Sequence, residues 1–244
     1  FANNAPPERS VGLTRPKGVA NLLKIKKFIF SQILTINFEV MKHNAKIVVY
    51  TTIIGSYDGL LPQPKFDGID YVCFTDQEFR SKTWNIVPLK AKELSPARTS
   101  RHPKIVPHVY LKDYDYSIYI DGNFLLLRNP IPLLKKVLTH APMGIFDHNQ
   151  CSDARDCVYK EHQANIELFR KTGVLKDDLQ LMETHMERYR NAGYPVNNGL
   201  ISAGIMLRNH HHPEVIKTME TWWEEFCNGS KRDQLSFNYA AWKN

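Results

Sequence analysis

Residues 115–123 read DYSIYIDGN, and no other stretch limits the fold as tightly. Ile118, Tyr119 and Ile120 form an apolar run that ends in Asp121, Gly122 and Asn123. The run predicts a buried strand with two oxygen-bearing side chains at its C-terminal tip. In open α/β sheets ligands bind beyond the carboxyl ends of strands. A carboxylate and an amide two residues apart suit a hard divalent cation there, Mn2+ or Mg2+, and the cation can hold a diphosphate. Asp, Gly and Asn are also turn formers, so an ordinary turn competes with that site.

Further apolar runs at 45–52, 69–75, 84–87, 143–146 and 199–207 predict strands. The last contains Gly204, which predicts a bend or bulge. Helical spacing fills the gaps. Pro103 and Pro107 interrupt 97–111 and predict short helical turns there. Residues 159–171, 175–190 and 213–226 carry apolar stripes, and of the adjacent Trp222 and Trp223 only one can face inward. Ser230 and Asp233 have the spacing of a cap for a further helix. Strands alternating with helices predict an α/β domain with a mainly parallel sheet, and 116–121 in its middle.

The net charge of +7 is unevenly spread. Residues 1–44 hold seven Lys/Arg against two acids, while the remaining 200 residues are nearly balanced. A basic nucleic-acid face across the domain is therefore not expected. The predicted division is a basic arm over 1–44, with an amphipathic segment at 18–30, and a domain over 45–244. The arm could touch an acidic partner or a membrane surface, or simply be solvated. No run reaches the length of a membrane span. Neither a dinucleotide-binding glycine fingerprint nor a phosphate-loop lysine motif occurs, which argues against dehydrogenases and ordinary ATPases. No CxxC occurs; Cys151 and Cys157 could pair across a polar loop, and Cys73 reads as core. Cysteine usage leans towards a reducing, cytoplasmic setting.

The order of these pieces resembles a GT-A glycosyltransferase, a Rossmann-like fold. VVYTTIIGSYDGL (48–60), CFTDQ (73–77), the segment with Arg98, Arg101 and Lys104, KDYDYSIYIDGNFLL (112–126) and NNGLISAGIMLRN (197–209) fall in the same sequence as in glycogenin-like, family-eight transferases. The chain is more similar to a glycosyltransferase-like family that includes plant Golgi mucilage-related proteins and bacterial relatives. YTTIIGSYD, DYVCFTD, DYSIYIDGN, RDCVY, MERYRNAGYPVNNGL and KRDQLSF carry that resemblance over residues 46–244. It implies a nucleotide-diphosphate sugar as donor, a carbohydrate acceptor, polysaccharide biosynthesis, and a Golgi lumen if the chain is a eukaryotic excerpt. A hexosyltransferase is the expected enzyme. The alternative is a non-catalytic carbohydrate-binding scaffold that retains the fold.

Within that frame Asp121 and Asn123 are the expected metal ligands. The family-eight motif has two aspartates and a later histidine; here the motif is Asp-Gly-Asn, and no histidine follows His212. Arg98, Arg101 and Lys104, spaced three apart, are expected to aim at the diphosphate, or else to form a solvated basic face. Thr51, Thr52 and Asp76 are expected at strand ends beside the nucleoside, with a helix cap as the alternative for Asp76. Asn197 and Asn198 are expected near the sugar, or as an Asn-Gly turn. His148 and Arg155 fall with Glu161 around an expected lid or acceptor loop. An inverting transfer needs a general base, for which Glu161, Asp156 and Asp233 are the candidates. A retaining transfer does not need one in that place, and the residues do not choose between the two.

Overall fold

A computed structural model describes residues 44–55, 58–90 and 94–244. The basic arm with its segment 18–30 lies outside the described residues, apart from Asn44. Six strands form one sheet: β1 (Ile47–Ile53), β2 (Ile69–Thr75), β3 (Asn85–Pro88), β4 (Tyr116–Ile120), β5 (Met143–Asp147) and β6 (Ile201–Arg208). Their order is β3-β2-β1-β4-β6-β5. β3, β2, β1 and β4 pair in parallel, and β6 runs antiparallel to both neighbours. The sheet is mainly parallel, β4 is central, and the α/β, Rossmann-like expectation holds.

The apolar runs of β1, β2 and β4 are continuous because both faces of the sheet are covered. Alternate residues turn to opposite sides. Val48, Tyr50, Phe74 and Tyr119 pack under helices α1 (Pro96–Ile105), α5 (Pro213–Cys227) and α6 (Gln234–Lys243). Val49, Cys73, Ile118 and Ile120 pack under α2 (Ile131–Leu138) on the other side. Fully burying one side chain such as Leu134 of α2 contributes roughly 1.5–3 kcal/mol. α3 (Val158–Thr172) and α4 (Leu179–Asn191) close a third cluster against α6, where the Tyr189 and Tyr239 rings stack at 3.8 Å.

Several expectations are refined. α1 continues through Pro103, because the proline lies in its last turn and removes only one late bond; Pro107 then starts a 3-10 turn. Pairing with β5 skips residues of β6 between Met206 and Ser202, which is the expected bulge, with Gly204 inside it. Trp222 is buried and Trp223 only partly so. Cys151 and Cys157 do not pair: all four cysteines are free thiols, and the Cys157 sulfur accepts the Asn197 N–H instead. No helix among the described residues is long and apolar enough to cross a membrane.

Candidate active site

The sheet order reverses between β1 and β4, since β1 runs on to β2 and β3 while β4 leads to the other half. Crevices for ligands open at such reversals, beyond the carboxyl ends of the strands. Asp121 leaves β4 there. Its carbonyl accepts the Phe124 N–H at 3.0 Å, so the backbone does form the expected turn. Gly122 fits against Ile53 at the end of β1, where a β-carbon would approach to 3.1 Å. Asn123 projects into solvent.

The Asp121 side chain joins a charged cluster. Tyr119, two residues back on the same face, donates its hydroxyl to Oδ1 at 2.8 Å. Burial, reinforced by the neighbouring Asp121 carboxylate, holds the Tyr119 phenol protonated, well above its ordinary range. The Lys104 ammonium lies 3.3 Å from Oδ1 of Asp121 and 2.8 Å from Oδ2 of Asp233. Arg101 donates Nε to the same Asp233 oxygen at 3.2 Å. Burial pushes the Asp233 carboxyl up, but Lys104 and Arg101 overcome it and hold the group well below the usual carboxylate range. Asp233 stands at the start of α6 and makes no side-chain cap there.

Arg98 does not join this cluster. Its guanidinium donates to the Cys227 carbonyl at 2.9 Å, at the C-terminus of α5, where a cation also meets the helix dipole. Thr51 and Thr52 fall in the last three residues of β1, which runs on to Ile53, and both hydroxyls are buried without a partner. Asp76 caps no helix. Both of its carboxylate oxygens accept the Gly55 N–H at 3.1 Å, which braces the turn after β1 with Gly55 in the left-handed region. Asn197, also left-handed, and Asn198 form the turn that leads into β6, with the Gly199 N–H on the Asp156 carbonyl.

A second cluster forms around Glu161, which is buried at the first turn of α3. Arg155 donates to Oε2 at 2.7 Å; Arg232 and Asn165 reach Oε1 at 3.3 and 3.0 Å. Arg155 also meets Asp153 at 2.8 Å and His148 Nε2 at 3.4 Å. His148, Cys151 and Asp153 bring donor atoms within 4.8 Å of one another, but that guanidinium already bonds two of the three. The remaining base candidate, Asp156, holds Lys160 at 2.7 Å. The clusters meet at the adjacent residues Arg232 and Asp233. A shallow groove of about 390 Å3 lined by Tyr159, Lys160, Gln163 and Asn197 includes neither Asp121 nor Lys104.

Arg208, Tyr50 and Arg232 were not among the expected site residues. Arg208 is fully buried and donates to the Tyr50 hydroxyl and, at 3.0 Å, to the Lys104 carbonyl. It thereby pins the last turn of α1 to the sheet. The available signal was a charged residue closing an otherwise apolar strand, GIMLR.

The donor set at β4 fits a divalent cation poorly. Asp121 is one carboxylate with Oδ1 already shared between an ammonium and a phenol, and Asp233, the other carboxylate on Lys104, is neutralised by two cations. Asp58, whose β-carbon packs beside Gly122, is the one further carboxylate at this tip among the described residues. Charge count sets the affinity of an oxygen site for such ions.

Residues 72–244 match the model of a family described as TOD1/MUCI70, glycosyltransferase-like domain. The chain is also 23% identical, over 228 residues, to an Arabidopsis thaliana protein described as probable hexosyltransferase MUCI70. That match covers 81% of this chain and 37% of the plant protein, so the chain spans little more than a third of its relative's length.

Proposed function

The chain belongs to the TOD1/MUCI70 glycosyltransferase-like family, and from that premise we propose that it transfers a hexosyl group from a nucleoside-diphosphate sugar to a hydroxyl of a carbohydrate acceptor. One observation carries this reading: a charged cluster at the sheet reversal, where Arg101 and Lys104 converge with Asp121 and Asp233 and Arg101 stays one-third exposed.

In such a transfer the bond from the anomeric carbon to the diphosphate oxygen breaks and a bond to the acceptor oxygen forms. Negative charge grows on the leaving phosphate and must be held as it develops. Arg101 is suited to that task, since its side chain is one-third exposed while Asp233 fixes its orientation. Asp76 braces the β1 turn against which the nucleoside would rest. The loop with His148 and Arg155 is assigned to the acceptor in this reading, since its charged side chains join the Glu161 cluster next to Asp233 through Arg232. Glu161 and Asp233 each face two cations, so they serve better as counter-ions than as proton acceptors. Asp156 is the base candidate that solvent still reaches.

A non-catalytic scaffold is the second reading, favoured by the closure of these carboxylates into ion pairs. Thermal-shift measurements with UDP, GDP and ADP, followed by hydrolysis assays with the matching sugar donors, separate the two. Stabilisation by one nucleotide together with donor turnover supports the transferase. A flat panel and no turnover support the scaffold.

A further inference from the structure

The tip of β4 is where a carboxylate would be expected to gather a cation, and the cation already there belongs to the chain. The Lys104 side chain is only 3% exposed. An ammonium has three protons to place. Two point to Asp233 Oδ2 and Asp121 Oδ1, and the third side faces the Tyr119 ring, 4.9 Å from its centroid. Nothing in this arrangement can swing away easily. The Lys104 carbonyl accepts the Tyr50 hydroxyl at 3.2 Å and an Arg208 N–H at 3.0 Å, so the backbone beneath the side chain is held to the sheet. An ion coordinated by Asp121 would lie within about 6 Å of the ammonium, on a carboxylate that is already half neutralised.

We infer that Lys104 is the resident cation of this site, with Asp121 and Asp233 as its counter-ions, and that a nucleoside diphosphate binds here without a divalent metal. The depressed Asp233 carboxyl agrees, because burial alone would raise it and Lys104 is the leading charge that lowers it. The inference rests on the transferase reading for its ligand but not for its ion chemistry. The ammonium and Arg101 balance the two carboxylates in place. The part of Arg101 left exposed is then the charge that an incoming phosphate meets first.

Two titrations on the full chain test this. In the first, Mn2+ uptake is followed by the loss of the free-ion EPR signal for wild type, Asp121→Asn and Lys104→Met. Wild type and Asp121→Asn should take up Mn2+ equally weakly. Lys104→Met, which strips the ammonium from Asp121 and leaves Asp233 with Arg101 alone, should bind it at least tenfold more tightly. Wild-type uptake that Asp121→Asn abolishes overturns the inference, and that comparison decides even if Lys104→Met does not fold. In the second, UDP, GDP and ADP are titrated calorimetrically in Mn2+ and in EDTA. Affinity equal within twofold supports the inference, and a tenfold or greater gain with Mn2+ overturns it. If no nucleotide binds in either buffer the transferase reading fails, while the Mn2+ titration still decides the role of Lys104.

Discussion

Ser230 donates its backbone N–H to Nδ1 of His185 at 3.1 Å, and this one bond sets the state of a buried imidazole. With Nδ1 accepting, the ring proton must sit on Nε2, 2.7 Å from the Tyr189 hydroxyl. Tyr189 in turn donates to Glu225 at 3.3 Å. Burial, with the nearby Arg188 charge, pushes the His185 pKa down from 6.5 to about 4. Protonating Nδ1 would cost the bond to Ser230 as well as the desolvation of a cation.

Acid should therefore destabilise this protein earlier than its carboxylates alone would. The folded state keeps His185 neutral, whereas the unfolded chain binds the proton below pH 6.5. Stability is full above that pH and falls as pH drops towards 4, because there the unfolded state holds more protons. By pH 5 the loss from this one group is roughly 2 kcal/mol. Urea unfolding at pH 7.5 and pH 5 measures it, and His185→Gln should flatten the slope. His210, pushed down to about 3 chiefly by burial, adds to the same trend. Equal stability at the two pH values would contradict the assignment.

Gly229→Ala should destabilise by about 1–3 kcal/mol, the range for an overpacked core. A β-carbon at Gly229 would overlap the His185 ring, which is itself buried and cannot withdraw. Gly59→Ala is the matched control, since nothing lies within 4 Å of its β-carbon position. Melting temperatures of the two variants give the comparison.

Arg98 and Arg101 should separate cleanly. Arg101→Ala is expected to weaken nucleoside-diphosphate binding by ~1.5–3 kcal/mol, the range for charged hydrogen bonds. Arg98→Ala removes the bond to the Cys227 carbonyl and should cost stability with little change in affinity. Calorimetry and thermal melting of both variants test this, and the reverse pattern would move the phosphate site.

Glu161→Gln distinguishes a counter-ion from a base. Removing its charge leaves Arg155 and Arg232, both mostly buried, without their shared anion. We expect a loss of roughly 2–3 kcal/mol in stability, reduced from the fully buried case by the solvent that reaches both guanidinium groups. A variant as stable as wild type, but with transfer slowed a hundredfold or more, would instead mark Glu161 as the base.

The strands were legible because burial on both faces wrote itself into unbroken apolar runs; the expected 69–75 is β2 to the residue. The α2 helix, entered through Pro130 and Pro132, was not assigned from sequence. Its eight residues are too few for helical periodicity to stand out between prolines. At the site, the spacing of Arg98, Arg101 and Lys104 predicts one shared face. An α-helix turns about 100° per residue, so three-residue steps drift by roughly 60° each. Arg101 and Lys104 stay within reach of Asp233, while Arg98 has rotated far enough to meet the end of α5. The partner that unites the cluster, Asp233, lies 129 positions beyond Lys104, and no local pattern could signal that contact. Its spacing to Ser230 predicts a cap, but Ser230 bonds Asp177 at 2.6 Å instead.

The short link between α5 and α6 behaves unlike an ordinary surface loop. Four of its residues bond Asp177 and His185 through Ser230 and Lys231, Glu161 through Arg232, and Lys104 through Asp233, and Gln234, the first residue of α6, donates to the Ile201 carbonyl. Connections between helices are usually the places where a chain accepts an inserted tag or a protease nick. This one has no slack to give. Cutting or lengthening it would release the outer helices and the charged cluster in one step, so the sheet and its helical flank should come apart as a single cooperative unit.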